Sequence, residues 1–153
     1  MLLGSALLMG SVALAAAPAA PHQAAAAAEY FPLTSTGATP LPFSEAVKVG
    51  NTLYLSGLIG TLPGTLTLAP GGITAEARQA LENIEAVLER HNSSMDQVVK
   101  CTVFIADMKD WPAFNEVYRQ FFKSHFPARS AFGVSGLAFN ARVEVECIAV
   151  TAQ

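Results

Sequence analysis

The sequence predicts an α+β domain in which one mixed sheet is backed by two helices, with the element order β-β-α-β-α-β-β. Three observations support this class: a strand pair around a Gly-Asn turn, two amphipathic helical segments, and three later runs rich in β-branched and aromatic residues. In a chain of 153 residues, elements in this order place both helices on one face of the sheet. The other face carries apolar residues that favour a partner chain, so we expect an oligomer.

The first two strands are predicted on either side of Gly50 and Asn51. Apolar runs at 46–49 and 53–55 flank this pair, and Gly-Asn is typical of a tight hairpin turn. Residues 29–41 precede the hairpin and are rich in Pro, Thr, Ser and Gly, which predicts a linker or an N-terminal arm. Residues 61–72 hold two prolines and three glycines and predict a loop.

Two segments have the apolar spacing of helices. In the first, Thr74 is a suitable N-cap, and Asn92 is a suitable terminator because Asn tolerates the left-handed conformation. Apolar residues recur there at spacings of four, three and four, at Ala77, Leu81, Ile84 and Leu88. The second helix is predicted to start near Asp110, with Pro112 in its first turn. Its apolar stripe predicts core packing rather than a ligand cage: Phe114, Val117, Tyr118 and Phe121.

Residues 98–106, 130–134 and 143–150 predict three further strands. Cys101 and Cys147 lie in the first and last of these runs, and because Cys packs as a small hydrophobe we expect two buried free thiols. A disulfide is the alternative in an oxidising compartment. The two cysteines and three histidines show no ligand spacing, so no metal site is predicted. His91 is expected to face the terminal carbonyls of the first helix.

The first 28 residues contain no Asp, Glu, Lys or Arg. An apolar run at 2–17 is followed by small residues with several Ala-x-Ala sites, which is typical of a secretory signal peptide, although no basic residue precedes the run. We therefore expect a leader at 1–28, with an uncleaved membrane anchor as the alternative, and a domain at 42–153 that is periplasmic or secreted. The formal net charge of −3 does not favour nucleic acid as a partner.

Two features of the second half could carry chemistry. Arg129 lies where a loop enters a strand in a short apolar context, so it needs a partner anion, either a structural carboxylate or a ligand. Glu144 and Glu146 alternate with apolar residues in the last strand and share one face of it. A buried carboxyl group would have a raised pKa and become a candidate acid or base, but the alternation does not indicate which of the two is buried.

Several motifs resemble those of the RidA (YjgF) family. The sequence Pro-Ala-Arg-Ser at 127–130, followed by Val-Glu-Val-Glu at 143–146, is similar to the C-terminal signature of that family. The segments at 42–47, 78–83 and 98–104 resemble its opening motif, its first helix and its central strand. The resemblance extends over nearly all of the chain that follows the predicted leader and arm.

The resemblance implies a chorismate mutase-like fold and a homotrimer with clefts between its subunits. It also implies hydrolysis of 2-aminoacrylate and related 2-imino acids to 2-keto acids and ammonia, with no metal or cofactor. Arg129 matches the arginine that holds the substrate carboxylate, and a guanidinium fork suits that role. Glu144 matches the glutamate associated with the attacking water. Ser130 and the main-chain N–H of Ala131 are expected to contact the substrate.

The chain departs from the family pattern at three of the expected binding positions. Phe43 stands where many active members have Tyr, Leu58 where Gln is common, and Ala131 where Cys is common. These changes make the expected pocket more apolar, so we expect a shifted substrate preference or a weakened activity. The alternative is a trimer that binds a small carboxylate without turnover.

Overall fold

The computed structural model describes residues 26–33 and 41–151, and most of the predicted leader lies outside them. Nine regular elements follow one another along the chain: β1 (Ala28–Pro32), β2 (Ser44–Val49), β3 (Thr52–Leu55), β4 (Leu58–Ile59), α1 (Gly72–Arg90), β5 (Val98–Ile105), α2 (Trp111–Phe121), β6 (Ala128–Gly133) and β7 (Val143–Val150). The strands form one sheet in the order β1-β2-β3-β7-β5-β6, and β4 pairs with β7. Only β5 and β6 run parallel, so the predicted mixed sheet backed by two helices is confirmed.

Two strands were missed by sequence reasoning. Residues 28–32, which lie largely in the segment predicted as a linker or N-terminal arm, form β1 and pair antiparallel with β2, a strand that the sequence pattern did not predict. The short strand β4 was also not predicted, since two residues carry no periodicity. It pairs with β7 through Leu58 opposite Val145 and Ile59 opposite Glu144.

The first helix begins earlier than predicted. Gly71 is its N-cap and Gly72 its first residue, with φ angles of 123° and 68°, in the region that glycine adopts without steric cost. Thr74 therefore lies inside the helix, and its predicted capping role is wrong. The predicted terminator Asn92 does adopt the left-handed conformation, with φ 56°. His91 caps the C-terminal end through its backbone, but its ring lies 2.9 Å from Glu45 Oε1 instead of facing the helix carbonyls.

The second helix agrees with the sequence pattern. It begins at Trp111, directly after Asp110, and Pro112 lies in its first turn. The carboxylate of Asp110 makes no capping hydrogen bond, because it accepts from the Arg142 guanidinium instead. Both helices bury their apolar stripes against the sheet, where the core residues include Leu81, Ile84, Leu88, Phe114 and Val117.

The two cysteines form a disulfide in the centre of the core. Cys101 of β5 and Cys147 of β7 are directly opposite in the antiparallel register, and the side chains are 0% and 2% exposed. The prediction of burial is confirmed, but the expectation of free thiols is wrong. A link that closes a loop of this length lowers the entropy of the unfolded chain and stabilises the fold by about 4 kcal/mol in the chain-entropy account.

The sheet has one covered face and one open face. Residues that alternate with the core positions point away from the helices, and several large apolar residues remain exposed there: Tyr30 at 67%, Tyr54 at 46% and Phe132 at 53%. This is the uncovered apolar face that the sequence predicted. No helix in the described ranges is long and apolar enough to cross a membrane.

Candidate active site

Arg129 lies on the helix-covered face of β6, the edge strand of the sheet. It is opposite Cys101 in the parallel register with β5, and its side chain reaches α2. Its guanidinium carbon lies 4.6 Å from the centroid of the Trp111 ring and 4.5 Å from that of Tyr118. Cation–π attraction of this kind is strongest over Trp and Tyr faces.

No carboxylate of the described residues forms an ion pair with Arg129. The structural salt bridge that the sequence left open is therefore not found in this part of the chain. The arginine instead lines a cavity of about 350 Å³, together with Asn115, Tyr118, Arg119, Phe126 and Pro127. This cavity offers an anion a guanidinium group and an amide in a partly apolar setting.

The free edge of β6 adds backbone donors beside Arg129. The N–H of Val134 donates to the carbonyl of Ile105 in β5. Because successive N–H groups of a strand point to opposite sides, the N–H of Ala131 points away from β5 and toward the free edge. A carboxylate held by Arg129 at this edge would thus find a main-chain donor nearby.

Tyr118 combines a covered ring with an unpaired hydroxyl. The side chain is only 3% exposed, and no described residue pairs with its hydroxyl oxygen. Burial raises the pKa of Tyr118 to about 12, against the opposing effect of the Arg129 charge. The phenol therefore stays neutral at physiological pH, and it touches the guanidinium through its ring.

Glu144 lies on the opposite, open face of the sheet. It is half-buried and opposite Phe104 in the register of β5 and β7. Its carboxyl group rests against Gly57, where an added Cβ would come within 2.0 Å of Oε1. Burial, and secondarily the charge of Glu146, raises the pKa of Glu144 above its ordinary value. Since Glu146 is exposed, Glu144 is the more buried of the two carboxylates. The alternation of polar and apolar residues in the sequence did not indicate which of the two is buried.

The remaining predicted binding residues are spread over the sheet. Ser130 is half-buried on the open face, opposite Thr102, whereas Ala131 packs against the core. Leu58 also packs against the core from β4, and Phe43 is 49% exposed just before β2. Within one chain these residues do not form a single pocket.

One chain therefore holds Arg129 and Glu144 on opposite faces of its sheet. Sequence reasoning also missed two residues beside Arg129, because Trp111 was not singled out and Tyr118 was assigned to the core. Tyr118 is indeed buried, but its ring also contacts the guanidinium. The available signal was the spacing of Trp111, Asn115 and Tyr118, which places all three on one side of α2.

The fold and this site define a small α+β protein with an arginine available for an anion at its sheet edge. A family model described as Endoribonuclease L-PSP matches residues 35–151, so the chain belongs to this family, the RidA (YjgF) family that its motifs resemble.

Known relatives agree with this assignment. The chain is 50% identical over 109 residues to a 2-iminobutanoate/2-iminopropanoate deaminase of Dermatophagoides farinae, a match that covers 71% of this chain and 85% of that protein. It is 48% identical over 119 residues to the RutC family protein UK114 of Drosophila melanogaster, covering 77% and 86%. The structure of E. coli TdcF with bound serine superposes with a TM-score of 0.72 at 32% identity, covering 81% of this chain and all of that one.

Proposed function

We propose that this protein hydrolyses reactive 2-imino acids of the 2-aminoacrylate type to 2-keto acids and ammonia. The observation that carries the proposal is Arg129, whose guanidinium lines a cavity without a carboxylate partner among the described residues. A relative that is 50% identical to this chain over 109 residues is named for the same reaction class. The bound serine of the related TdcF structure is itself a small molecule with a carboxylate.

The proposed chemistry assigns one role to each group. Arg129 binds the substrate carboxylate through two parallel charge-assisted hydrogen bonds, and the N–H of Ala131 adds a third. Glu144 takes a proton from a water molecule, whose oxygen attacks the carbon of the protonated imine to form a tetrahedral carbinolamine. Glu144 then gives that proton to the amine nitrogen, and ammonia leaves as the C=O bond of the keto acid forms and the hydroxyl proton returns to Glu144 or passes to water. Holding the carboxylate fixed beside the water supplies much of the acceleration.

In a homotrimer, the Arg129 guanidinium and the Glu144 carboxylate of one site can come from two neighbouring protomers. Because Arg129 and Glu144 lie on opposite faces within a chain, we propose that the cleft is assembled between protomers. The exposed Tyr54 and Phe132 of the open face support this, since exposed apolar patches mark protein–protein interaction sites.

We also propose that the protein is exported. The leader-like start and the Cys101–Cys147 disulfide support an oxidising compartment, where such bonds form and persist. The leader is then removed, and no stable membrane insertion remains.

The test is an imine hydrolysis assay on the leader-less protein, in which an amino acid oxidase generates the imine and the rate of keto acid formation is followed. Arg129→Ala is expected to lose at least about a hundredfold in kcat/KM, because it removes the group that binds the substrate carboxylate through charge-assisted hydrogen bonds. Arg78→Ala, on the exposed side of α1, is the matched control and should keep the wild-type rate. Equal rates in wild type and Arg129→Ala would refute the assignment.

The second candidate is a trimer that binds small carboxylates without turnover, which the apolar residues Phe43 and Leu58 favour. In that case 2-oxobutanoate would raise the melting temperature of the wild type but not of Arg129→Ala, and neither protein would accelerate imine hydrolysis.

The assay also includes an RNA substrate, because the family model is described as an endoribonuclease. We expect no cleavage, since the net charge of −3 disfavours a polyanion.

A further inference from the structure

We propose that Trp111 and Tyr118 are positioning residues, which hold the guanidinium of Arg129 by ring contacts and so leave its N–H donors available to the substrate carboxylate. The inference deepens the proposed function and rests on the role given there to Arg129. Neither aromatic residue touches the reacting atoms in this scheme, and both act through the arginine.

The five arginines of the chain show why the ring contacts matter. Four of them donate hydrogen bonds to side-chain oxygens: Arg78 to Gln120, Arg90 to Glu45, Arg119 to Glu116 and Arg142 to Asp110. Arg129 donates to no side chain of the described residues and instead lies over two aromatic rings. A carboxylate partner would occupy the guanidinium fork and neutralise its charge, whereas a ring engages the planar face and leaves the edge donors open.

The ring contacts also keep the Arg129 side chain ordered. Arg has one of the largest side-chain entropies, and a long side chain on an edge strand would have to be immobilised when substrate binds. Trp111 and Tyr118 are seven residues apart on α2, about two helical turns, so their rings contact the guanidinium from two places. These contacts fix the side chain before binding, which lowers the entropic cost of holding the carboxylate.

The neutral phenol of Tyr118 fits this role. Its hydroxyl is buried and finds no partner among the described residues, so the ring rather than the oxygen makes the useful contact. A phenolate would pair with Arg129 and compete with substrate. Tyr118→Phe removes the hydroxyl group but keeps the aromatic ring, so we predict that this variant keeps the function.

The experiment combines kinetics with a spectroscopic signature on the leader-less protein. Trp111→Leu and Tyr118→Leu keep apolar bulk but lose one ring face, and each should raise KM for the imino acid roughly fivefold while kcat stays within about twofold. Trp111→Phe should recover most of the wild-type KM, and Tyr118→Phe should match it. In parallel, ring currents should shift the Arg129 Nε–H proton resonance upfield in the wild type, and each Leu variant should move it back toward the value of a free arginine.

Each outcome bears on the inference. Unchanged KM in both Leu variants, or a fall in kcat alone, would overturn it, and so would an Arg129 resonance that does not move. If Trp111→Leu fails to fold, Trp111→Phe and Tyr118→Leu carry the same comparison. Failure of the proposed function would give a different result. In that case Arg129→Ala would hydrolyse imines at the wild-type rate, while the Leu variants would still shift the Arg129 resonance.

Discussion

The two faces of the sheet differ in how much of their surroundings the chain itself supplies. On the helix-covered face, two helices close a continuous core around the Cys101–Cys147 disulfide, and Arg129 is already held by aromatic rings. On the open face, Glu144 is only half-buried, and large residues such as Tyr54 and Phe132 remain exposed. The difference indicates that the chain itself surrounds the guanidinium of Arg129 with aromatic rings, whereas it leaves the surroundings of Glu144 open.

This contrast bears on how the proposed reaction could be assembled. A carboxylate acts as a base on a positioned water only where solvent is excluded and the substrate is close. Neither condition holds for Glu144 in an isolated protomer, since Arg129 faces the other way. If copies of the chain cover the open face, Glu144 becomes more buried, and the clefts between protomers can combine both groups.

Placing a charge on the open face should therefore have the largest effect. Phe132 is exposed there and stacks on Phe104, with ring centroids 6.3 Å apart. In Phe132→Glu, burying an unpaired carboxylate in the proposed interface costs about 3–5 kcal/mol, which should dissociate the trimer and lower imine hydrolysis more than about a hundredfold. Light scattering and the imine assay measure the two effects on the same sample.

The matched control for this change is Leu66→Glu. Leu66 is 66% exposed, but it lies in the loop that precedes α1 rather than on the sheet. We expect Leu66→Glu to keep the wild-type mass and rate. A Phe132→Glu protein that stays trimeric and active would show that the open face is not the interface.

Moving the Glu144 carboxyl group should have the next largest effect. In Gly57→Ala the new methyl group would meet the Glu144 carboxyl group, 2.0 Å from Oε1 and 2.9 Å from the carboxyl carbon, so the side chain must move. Because a positioned acid or base contributes about 10²–10⁴-fold to a rate, we expect kcat to fall by at least about tenfold. The melting temperature should change little, since the displaced group is the end of a flexible side chain.

Gly136→Ala serves as the control for the Gly57 variant. A Cβ at Gly136 would meet nothing within 4 Å, and this glycine does not adopt a positive φ angle. Its kcat should equal that of the wild type. If both alanine variants hydrolyse imines equally well, Glu144 does not act from the position seen here.

The helices and the later strands were more accessible to sequence reasoning than the pairing between strands. Period-3.6 and β-branched patterns predicted both helices and β5 to β7 closely, because burial against one partner layer imposes such patterns. The strand β1 was missed because Pro, Thr and Ser near it indicated a loop, and its pairing with β2 depends on contacts distant in sequence. The disulfide was left open for the same reason, since only the register of β5 and β7 brings Cys101 and Cys147 together.

The sequence named candidate site residues but could not predict how they lie relative to one another. The motif resemblance named Arg129 and Glu144, yet alternation within each strand could not relate the faces of two different strands. That relation follows from the register: Arg129 is opposite Cys101, which is opposite Cys147, and Glu144 is three residues from Cys147. An odd separation along a strand reverses the face.

The smallest expected effect is a difference in pH dependence between two carboxyl groups, the buried Glu45 and the half-buried Glu144. Burial by itself would raise the pKa of Glu45, but hydrogen bonds and charge from Arg90 and His91 outweigh it and hold that pKa below its ordinary value. Glu45 therefore contributes stability that is present above its unfolded pKa of 4.5 and is lost as pH falls through the lower folded pKa. Glu144 has the opposite sign: its raised pKa makes the folded state bind the proton more tightly, so stability falls as pH rises from 4.5 through the folded pKa.

The two Gln variants separate these contributions in urea unfolding at several pH values. Glu45→Gln should be less stable than the wild type at pH 7, with the gap narrowing as the pH falls below 4.5. Glu144→Gln should be slightly more stable than the wild type at pH 7 and indistinguishable from it below 4.5. If Glu144→Gln instead destabilises the protein at pH 7, the ionised carboxylate must gain a partner on assembly. The open face would then supply the charge or hydrogen bond that the isolated chain lacks.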